Sequence, residues 1–408
     1  MKALILAAGE GTRMRPLTAN IPKPLLPVAG KPFLRHIIET LEGLEIRDIH
    51  LLIGWKNLKI KEYFGDGGRF NVSISYLYQE ERLGTAHAVG IAKSVMDSPF
   101  ICLNGDIVVA KAYIKGLMDF YKSHEGNIIS LARVDKPERF GVVNLEGDRV
   151  KEITEKPKLP KSDLINAGIY LFTPDVFKAI EETPKSSRGE YEITESIKIL
   201  MRGNDIYGYV LDEPWVEIGR PWDLLRANEV LMKDLEVNLE GDLHSSAEVN
   251  GPVSIGKGTV VRAGSYITGP VIIGENCTIG PNCVIRPSTV IGDGCKIGNA
   301  VEVKNSVIMN SSNVPHNNYV GDSIIGQRCN LGAGTKVANL RLDGKNINMV
   351  LGGRPVDTGL RKLGVIMGDE VKTGINSSLD SGTIIGENSY IGPNALARGN
   401  IAPRSRIH

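Results

Sequence analysis

One segment, Leu6-Ala7-Ala8-Gly9-Glu10-Gly11-Thr12-Arg13-Met14-Arg15-Pro16-Leu17-Thr18, decides the interpretation of the first half of this sequence. The apolar residues 1–6 that lead into it predict a short buried β-strand. Gly9 and Gly11 then allow a turn in which a ligand approaches the main chain closely. Such a turn presents backbone N–H groups to an anion, and Arg13 and Lys23 add positive charge. The segment predicts a phosphate-binding loop; the alternative is a glycine turn with solvated basic side chains.

Composition limits the classes of protein to which the chain can belong. Its 408 residues exceed what one ordinary core supports, so we expect two domains. The 48 basic and 47 acidic residues nearly cancel, which argues against nucleic acid or an anionic membrane as a partner. Five cysteines without paired Cys-x-x-Cys spacing argue against a disulfide framework and a zinc site. With no signal peptide and no bilayer-length apolar run, the expected location is the cytoplasm.

Apolar runs alternate with helical patterns from residue 1 to about residue 232. The predicted strands cover residues 1–6, 49–53, 72–78 and 100–103, the predicted helices residues 33–41 and 86–95, and a predicted hairpin residues 140–153. Strands separated by helices predict an α/β domain with a mostly parallel sheet covered on both faces. Ligands of such sheets bind at the carboxyl ends of the strands.

Polar residues stand at several of these predicted strand ends. Gln79 and Thr85 are placed to read a base edge, or else form a polar loop with a helix cap. Asp106 follows the most apolar strand, where a carboxylate can hold Mg²⁺ or simply stabilise a turn. Glu217, beside Trp215, is a candidate second metal ligand or a partly buried salt-bridge partner.

Together these motifs resemble those of the sugar-1-phosphate nucleotidyltransferases over essentially all of residues 1–230. The resemblance implies that a sugar phosphate oxygen attacks the α-phosphorus of a nucleoside triphosphate in line and that pyrophosphate leaves. It implies that Arg13 holds the triphosphate, that Lys23 lies at the α-phosphate, and that Asp106 and Glu217 hold Mg²⁺.

The same resemblance implies the residues that bind the nucleotide and the sugar. These are Leu6, Ala8, Gly9, Gln79, Gly84, Thr85, Gly141, Glu155, Lys156 and Asn166. Glu155 and Asn166 would bind the sugar, and Lys156 would lie near its phosphate. Gln79 and Thr85 suit uracil or thymine, so the expected nucleotide is UTP or dTTP.

The pattern changes from about Ser246 onward. Ile255-Gly256, Ile273-Gly274 and Ile291-Gly292 recur every eighteen residues, and further pairs follow at a spacing of six. This is the hexapeptide signature of a parallel β-helix, expected here to be left-handed, with three repeats in each coil. Four cysteines lie at one repeat position and are predicted to be small interior residues: Cys277, Cys283, Cys295 and Cys329. The expected domains are residues 1–232 and 246–408, joined by a linker at 233–245.

The hexapeptide period breaks between Ile297 and Ile325, which are twenty-eight residues apart where twenty-four would keep phase. We therefore predict an extra projecting loop that carries residues 314–322. His316 in that loop can take a proton near neutral pH, as acyl transfer to an amine requires, or can be a residue of a trimer contact.

Residues 302–304, 314–322, 330–335 and 339–345 resemble the acetyltransferase half of the bifunctional GlmU family, in which acetyl-CoA acetylates glucosamine-1-phosphate before uridylyl transfer. The resemblance implies that His316 is the base and that Ala333 and Lys345 lie near CoA. The implied sugar-phosphate ligands are Arg286, Lys304, Tyr319, Asn330 and Asn339. An interruption at Gly352 to Leu363 and the sequence around Trp215 resemble the archaeal type of this family.

The motifs suggest three candidate functions. The resemblance favours a bifunctional enzyme that acetylates glucosamine-1-phosphate and then makes UDP-N-acetylglucosamine. Galactosamine-1-phosphate is a further candidate substrate for the acetylation. The expected assembly is a homotrimer or a dimer of trimers. The alternative is a monofunctional glucose-1-phosphate or mannose-1-phosphate nucleotidyltransferase whose β-helix is a scaffold or regulator. A non-catalytic assembly subunit is disfavoured because Arg13, Lys23, Asp106 and Glu217 are all present.

Overall fold

The computed structural model describes residues 1–108, 110–211 and 215–408. The chain divides into two compact units. The first unit contains Met1–Glu10, Pro22–Leu25 and Phe33–Glu217, and the second contains Gly11–Ile21, Leu26–Pro32 and Ile218–His408. Part of the segment quoted above therefore packs with the second unit. The domain limits expected from the sequence stay a prediction.

Nine strands form the main sheet of the first unit, counted over the described ranges. In spatial order they are Ser73–Tyr78, Asp48–Ile53, Lys2–Leu6, Phe100–Asn104, Leu164–Phe172, Asn127–Arg133, Ile206–Val210, Arg149–Glu155 and Gly141–Glu146. The first four are parallel to one another. Leu164–Phe172 and Arg149–Glu155 run against the common direction. The sheet is thus mostly parallel, as predicted.

Helices pack on both faces of this sheet. Ala3 and Ile5 belong to one apolar cluster and Leu4 to another, because alternate side chains of a strand point to opposite faces. Ile37 joins the first cluster from one helix, and Val89 joins the second from another. The helices are Phe33–Glu42, Asn57–Phe64, Thr85–Gly90, Lys111–Ser123, Val176–Glu181 and Ile193–Leu200, with short 3₁₀ turns at Lys23–Leu25, Gly68–Phe70 and Pro137–Arg139. The helix expected at residues 86–95 already ends at Gly90.

The carboxyl ends of the parallel strands lie close together. The Gly105 N–H donates to the Leu6 carbonyl at 2.9 Å, and the Gln79 N–H donates to the Ile53 carbonyl at 3.0 Å. A Cβ atom on Gly54 would lie 2.8 Å from the Ala8 carbonyl oxygen, so only glycine fits there without displacement. The loops that carry the predicted nucleotide-binding residues of this unit are therefore held at one edge of the sheet.

The second unit is a parallel β-helix with three faces. One face consists of Asn238–Leu239, Val253–Ile255, Val271–Ile273, Thr289–Ile291, Val307–Ile308, Ile324–Ile325, Ile366–Met367, Ile384–Ile385 and Asn400–Ile401. The next consists of Asp242–Leu243, Val260–Val261, Thr278–Ile279, Lys296–Asn299 and Asn313–His316, followed by Lys372–Thr373, Tyr390–Ile391 and Arg406–Ile407. The third consists of Glu248–Asn250, Tyr266–Thr268, Val284–Ile285, Glu302–Lys304, Tyr319–Gly321, Lys336–Val337, Ser378–Leu379 and Leu396–Ala397.

Smaller elements complete the two units. They are the pairs Pro27–Val28 with Lys31–Pro32, Ile107–Val108 with Val216–Glu217 and Asn348–Leu351 with Arg354–Asp357, the turn Thr12–Met14 and the helix Asp223–Leu231. In the part of the chain that is described, no helix is both long and apolar enough to cross a membrane.

The prediction of a projecting loop at residues 314–322 is wrong. Asn313–His316 pairs in parallel with Lys296–Asn299, and Tyr319–Gly321 pairs with Glu302–Lys304, so both segments are rungs of the coil. Ile291, Ile308 and Ile325 are stacked at intervals of seventeen residues instead of eighteen. Ile297 lies on a different face of the prism from Ile325, so the spacing between them is not a whole number of coils. The break in the sequence period therefore reflects two shortened coils and not an insertion.

The longer interruption of the coil lies after Val337. Lys336–Val337 pairs with Ser378–Leu379. The paired residues are forty-two positions apart in the sequence, whereas a regular coil contains eighteen residues. The chain between them leaves the prism and forms the hairpin Asn348–Leu351 and Arg354–Asp357 before it returns at Ile366–Met367. The interruption predicted at Gly352 to Leu363 is therefore only part of this excursion.

The cysteines provide a test of the packing. All five are free and buried, and the four of the β-helix belong to its core cluster, as predicted. Burial raises the pKa of the Cys102 and Cys283 thiols and raises the pKa of Cys329 to about 12. We expect the native protein to react with a water-soluble disulfide reagent about a hundredfold more slowly than the urea-unfolded protein. Rapid titration of several thiols in the native protein would contradict this packing.

Candidate active sites

A partly buried ion pair lies just after the strand Phe100–Asn104 of the first unit. Lys23 Nζ lies 2.6 Å from Asp106 Oδ2, and the exposed fractions of the two side chains are 10% and 26%. Asp106 follows the strand Phe100–Asn104, and Lys23 begins a single 3₁₀ turn. The structure thus brings together two residues that are eighty-three positions apart in the sequence and that the resemblance assigned to one reaction.

Glu217 approaches the same place from another segment. The strand Val216–Glu217 pairs with Ile107–Val108, and Glu217 stands opposite Ile107, the residue that follows Asp106. Trp215 supports this segment by donating from Nε1 to the Ala167 carbonyl at 3.0 Å. One predicted metal ligand, Glu217, therefore lies on a strand whose neighbour begins directly after the other, Asp106. Carboxylate oxygens are the ligands that Mg²⁺ prefers, so the pair fits a divalent cation that also takes phosphate oxygens.

A small cavity lies beside the predicted base-binding residues. Its volume is about 360 Å³, and Ala8, Gly54 and Gln79 line it. Gln79 is buried, and its Nε2 atom lies 3.1 Å from His87 Nδ1. Thr85 Oγ1 accepts a hydrogen bond from the Ile193 N–H at 3.0 Å and so caps a second helix. This contact favours a structural role for the Thr85 hydroxyl and leaves Gln79 at the cavity.

The backbone at Gly84 shows why a glycine precedes the helix Thr85–Gly90. Its φ is +114°, and a Cβ atom there would lie 2.4 Å from the Tyr191 carbonyl oxygen. The Ala86 N–H donates to the same carbonyl at 2.9 Å. Any side chain at residue 84 would push this connection apart, so the position is required for packing whether or not it touches a nucleotide.

Three predicted sugar-binding residues meet on adjacent strands. Glu155 stands opposite Gly141 in the hairpin, and a Cβ atom on Gly141 would lie 3.2 Å from Glu155 Oε2 and 3.6 Å from Asn166 Cβ. Asn166 Nδ2 donates to the Tyr170 hydroxyl at 2.8 Å. Gly141 thus leaves room between a carboxylate and an amide, which is an arrangement suited to sugar hydroxyls.

The structure adds an arginine that the sequence did not indicate. Arg188 donates to Glu155 Oε1 at 3.2 Å and to Glu192 Oε1 at 2.5 Å. Lys156 Nζ lies 3.4 Å from Glu155 Oε1, and these residues line a cavity of about 400 Å³. Arg188 belongs to no recognisable motif, because it comes from an irregular polar segment that only the fold brings to Glu155.

The remainder of the glycine loop packs within the second unit. Gly11 has φ +68° and ψ 34°, the left-handed conformation that glycine adopts without strain. Its carbonyl accepts hydrogen bonds from the Met14 N–H at 2.9 Å and from Thr18 Oγ1 at 2.8 Å. Arg13 is exposed on the 3₁₀ turn that follows. Leu6 and Gly9, the predicted contacts at the strand end, are half-buried and exposed.

In the β-helix, the predicted residues Lys304 and Asn339 both contact a carboxylate that the sequence did not indicate. Asp322 Oδ2 accepts hydrogen bonds from Asn339 Nδ2 at 2.5 Å and lies 3.2 Å from Lys304 Nζ. Asn305 Nδ2 donates to Asp322 Oδ1 at 2.7 Å, and Asn339 Nδ2 also lies 3.2 Å from the Tyr319 hydroxyl. Asp322 is only 3% exposed. The period of the coil could have indicated Asp322, because Lys304 lies one coil before Asp322 and Asn339 lies one coil after it.

The other predicted acetyltransferase residues lie elsewhere on the prism. His316 is exposed at the end of Asn313–His316, and its carbonyl accepts the Gly334 N–H at 3.0 Å, which stacks it beside Ala333. Asn330 bridges to Asn313 at the opposite end of that strand. The strand Tyr319–Gly321 separates His316 from Asp322, so one chain does not bring His316 into the Asp322 cluster.

Two residues stand at the margins of this arrangement. Arg286 is one coil away from Lys304 at the same position of the third face, and it donates to Glu302 Oε1 at 2.8 Å. Lys345 is exposed in the excursion after Val337, where its N–H donates to Asp343 Oδ1 at 3.2 Å. Arg286 can therefore extend a cationic strip with Lys304, whereas Lys345 lies on a separate segment.

Comparison with known proteins matches family models to several parts of the chain. The nucleotidyl transferase family model matches residues 2–234, a model of the GMPPB C-terminal domain matches residues 267–374, and a hexapeptide repeat model of succinyl-transferase matches residues 245–269. The "Bifunctional protein GlmU" of Methanocaldococcus jannaschii is 42% identical over 409 residues, covering 100% of this chain and 97% of that protein. The chain belongs to the bifunctional GlmU family of nucleotidyl transferases.

Two further relatives cover the chain to different extents. The "Bifunctional sugar-1-phosphate nucleotidylyltransferase/acetyltransferase" of Sulfurisphaera tokodaii is 36% identical over 404 residues and covers 98% of both chains. A crystal structure of a putative glucose-1-phosphate thymidylyltransferase from Bacillus anthracis, in complex with sucrose, is 33% identical with a TM-score of 0.54. It covers 59% of this chain and 98% of its own, whereas the GlmU relatives extend over both units.

The Asp322 cluster leads to a prediction about stability. Asp322→Ala would leave the largely buried Lys304 ammonium without its carboxylate, and we expect the free energy of unfolding of the second unit to fall by about 2 kcal/mol. Asp322→Asn, which keeps the shape and a hydrogen-bond acceptor, should lose less. Urea unfolding followed by circular dichroism measures both, with the exposed Asp343→Ala as the control. An unchanged urea midpoint for Asp322→Ala would show that the cluster is not needed for folding.

Proposed function

We propose that the chain acetylates glucosamine-1-phosphate with acetyl-CoA and transfers UMP from UTP to N-acetylglucosamine-1-phosphate, releasing pyrophosphate. The observation that carries the proposal is the full-length match to relatives named bifunctional GlmU, which includes both units. The alternative, a monofunctional glucose-1-phosphate or mannose-1-phosphate nucleotidyltransferase with a scaffold β-helix, is less supported because these relatives are named bifunctional and the Sulfurisphaera tokodaii relative names both activities. We also propose a cytoplasmic location, where sugar phosphates and acetyl-CoA are available.

For nucleotidyl transfer we assign the chain's own residues to positioning and charge stabilisation. Backbone N–H groups of the glycine loop and Arg13 would hold the triphosphate, and Lys23 would stabilise charge at the α-phosphate. Asp106 and Glu217 would hold Mg²⁺, which supplies positive charge to the phosphate oxygens when bound. The short Lys23–Asp106 contact supports this assignment because one carboxylate keeps the lysine ordered at the strand end.

The remaining nucleotidyltransferase residues would select the two substrates. Gln79 at its cavity would bind the uracil edge, with thymine as a second base of similar shape. Glu155 and Asn166 would accept and donate hydrogen bonds to the sugar, with Gly141 leaving space and Lys156 near the sugar phosphate. Other backbone positions assigned to the nucleotide are Leu6, Ala8, Gly9, Gly84 and Thr85.

For acetyl transfer we assign His316 as the base that removes the proton from the attacking amine. The cluster of Lys304, Tyr319 and Asn339 would bind the sugar phosphate, together with Arg286 and Asn330, and Ala333 and Lys345 would lie near CoA. Since His316 and this cluster lie at different corners of one prism, we propose that a neighbouring copy completes the site in a homotrimer or a dimer of trimers. Light scattering on the purified protein tests the trimer.

The nucleotidyl half is tested with Asp106→Asn. Loss of this carboxylate should lower UDP-N-acetylglucosamine formation a hundredfold or more, equivalent to roughly 3 kcal/mol of transition-state stabilisation, because a metal ligand is lost. Acetylation should not change. Pyrophosphate release measures the first activity and free CoA thiol the second, and Asp119→Asn on an exposed helix is the control. Normal nucleotidyl transfer by Asp106→Asn would remove this residue from the mechanism.

The acetyl half is tested with His316→Ala. Without its base the enzyme should acetylate glucosamine-1-phosphate two to four orders of magnitude more slowly, whereas UDP-N-acetylglucosamine formation from already acetylated substrate should survive. His244→Ala is the matched control, since His244 is another exposed histidine of the second unit. If Lys304→Ala abolishes acetylation and His316→Ala does not, the pocket is right and the base is wrong. If neither change matters, the β-helix is a scaffold.

A further inference from the structure

The second unit contains a cavity that none of the assigned reactions uses as a whole. Its volume is about 1,010 Å³, which is the size of a site for a small metabolite. The charged residues that line it are Arg13, Arg15, Arg220, Arg354 and Glu387. Four guanidinium groups and one carboxylate give the cavity an excess of positive charge, although the whole chain is nearly neutral with a net charge of +1.

One wall of the cavity is apolar. It is formed by Val350 and Leu351 of the hairpin and by Ile384, Ile401 and Pro403 of the last coils. An apolar wall opposite several arginines suits a ligand that has an anionic end and an apolar or planar body. A free inorganic anion would use only the arginines.

Hydrogen bonds fix the walls of the cavity to the β-helix. Asn400 Nδ2 donates to the Val350 carbonyl at 2.7 Å, which holds the hairpin against the last coils. Asn20 Nδ2 donates to Asp369 Oδ2 at 3.1 Å, and a Cβ atom on Gly368 would lie 3.0 Å from Pro16 Cβ. The segment that carries Arg13 and Arg15 is therefore packed on the same coils as the apolar wall.

Two of the arginines are available to a ligand. Arg13 and Arg354 form no salt bridge with any carboxylate in residues 1–108, 110–211 and 215–408. A guanidinium group pairs with phosphate through two parallel hydrogen bonds, and that geometry suits a diphosphate better than a single carboxylate. We propose that this cavity is a regulatory site for a metabolite in which a diphosphate is joined to an apolar or planar body.

The consequence for catalysis follows from Arg13. This residue lines the cavity and is also the proposed triphosphate-binding residue, so this step rests on the proposed function. A diphosphate that engages Arg13 in the cavity would withdraw it from the triphosphate and lower the rate of nucleotidyl transfer. Two metabolites share the required chemistry, a nucleotide sugar and CoA, and the experiment distinguishes them.

The probes are UDP-N-acetylglucosamine, CoA and inorganic pyrophosphate, each titrated into the full chain by isothermal calorimetry. Arg354→Gln removes a charge and Val350→Ser removes apolar surface, and neither residue belongs to the proposed catalytic machinery. Arg398→Gln, an exposed arginine of the neighbouring coil that does not line the cavity, is the matched control. Each metabolite is also a product of one proposed reaction, so we expect binding at its active site that does not change in the cavity variants. Beside it we expect a further binding event for one of the two metabolites, which weakens tenfold to a hundredfold in both cavity variants and is unchanged in the control.

The same variants are assayed for inhibition of nucleotidyl transfer by the metabolite that binds. Arg354→Gln should keep the basal rate and lose at least tenfold in sensitivity to the inhibitor. If the event that weakens in the cavity variants is seen with UDP-N-acetylglucosamine, the ligand is a nucleotide sugar; if it is seen with CoA, the ligand is CoA. The proposal would be overturned if both cavity variants gave the same titration curves as the unmodified protein, or if pyrophosphate gave the variant-sensitive event as tightly as either metabolite. The calorimetric result stands even if the Asp106→Asn assay refutes the nucleotidyl mechanism.

Discussion

Parallel pairing of strands in register is the constraint on which both units depend. In the first unit it aligns Leu6 with Asn104 and so places the loops after these strands at one edge. In the second unit it stacks Ile273 on Ile255 and Ile291 on Ile273, which closes each coil over the one before it. A displacement of one residue would turn interior side chains to solvent, so the pairing is strongly specified. Functional groups are then free to vary at the ends of the rungs.

At three places in or beside the candidate sites a cation is paired with a carboxylate. Lys23 contacts Asp106, Arg188 contacts Glu155 and Glu192, and Lys304 contacts Asp322. Burial makes an unpaired charge costly, so the carboxylates beside the largely buried Lys23 and Lys304 stabilise the folded chain. A phosphate group could replace the carboxylate without leaving the cation unpaired. The proposed anion sites are therefore compatible with a chain that has almost no net charge.

Much of this arrangement was predictable from local sequence. The apolar run before Gly9 predicted the first strand, and the eighteen-residue recurrence of Ile-Gly predicted the β-helix with its buried cysteines. The shortened coils near Ile308 were not predictable, because the register of a rung depends on the rungs above and below it. Asp322 and Arg188 were missed for a related reason, since each acquires its role from residues that the fold brings near. Motifs identify residues that act through local geometry, and partners set by packing need the three-dimensional structure.

The packing of Asn20 on Asp369 has a consequence for the order in which the chain is built. The two residues are 349 positions apart, and Pro16 likewise rests against Gly368. During synthesis from the N-terminus, the segment Gly11–Ile21 must wait until nearly the whole chain has left the ribosome before its packing is complete. Contacts at such separations are slow to form because a long loop must close first. The first loop of the protein to be translated is thus among the last to settle, and an early halt in translation leaves it without its support.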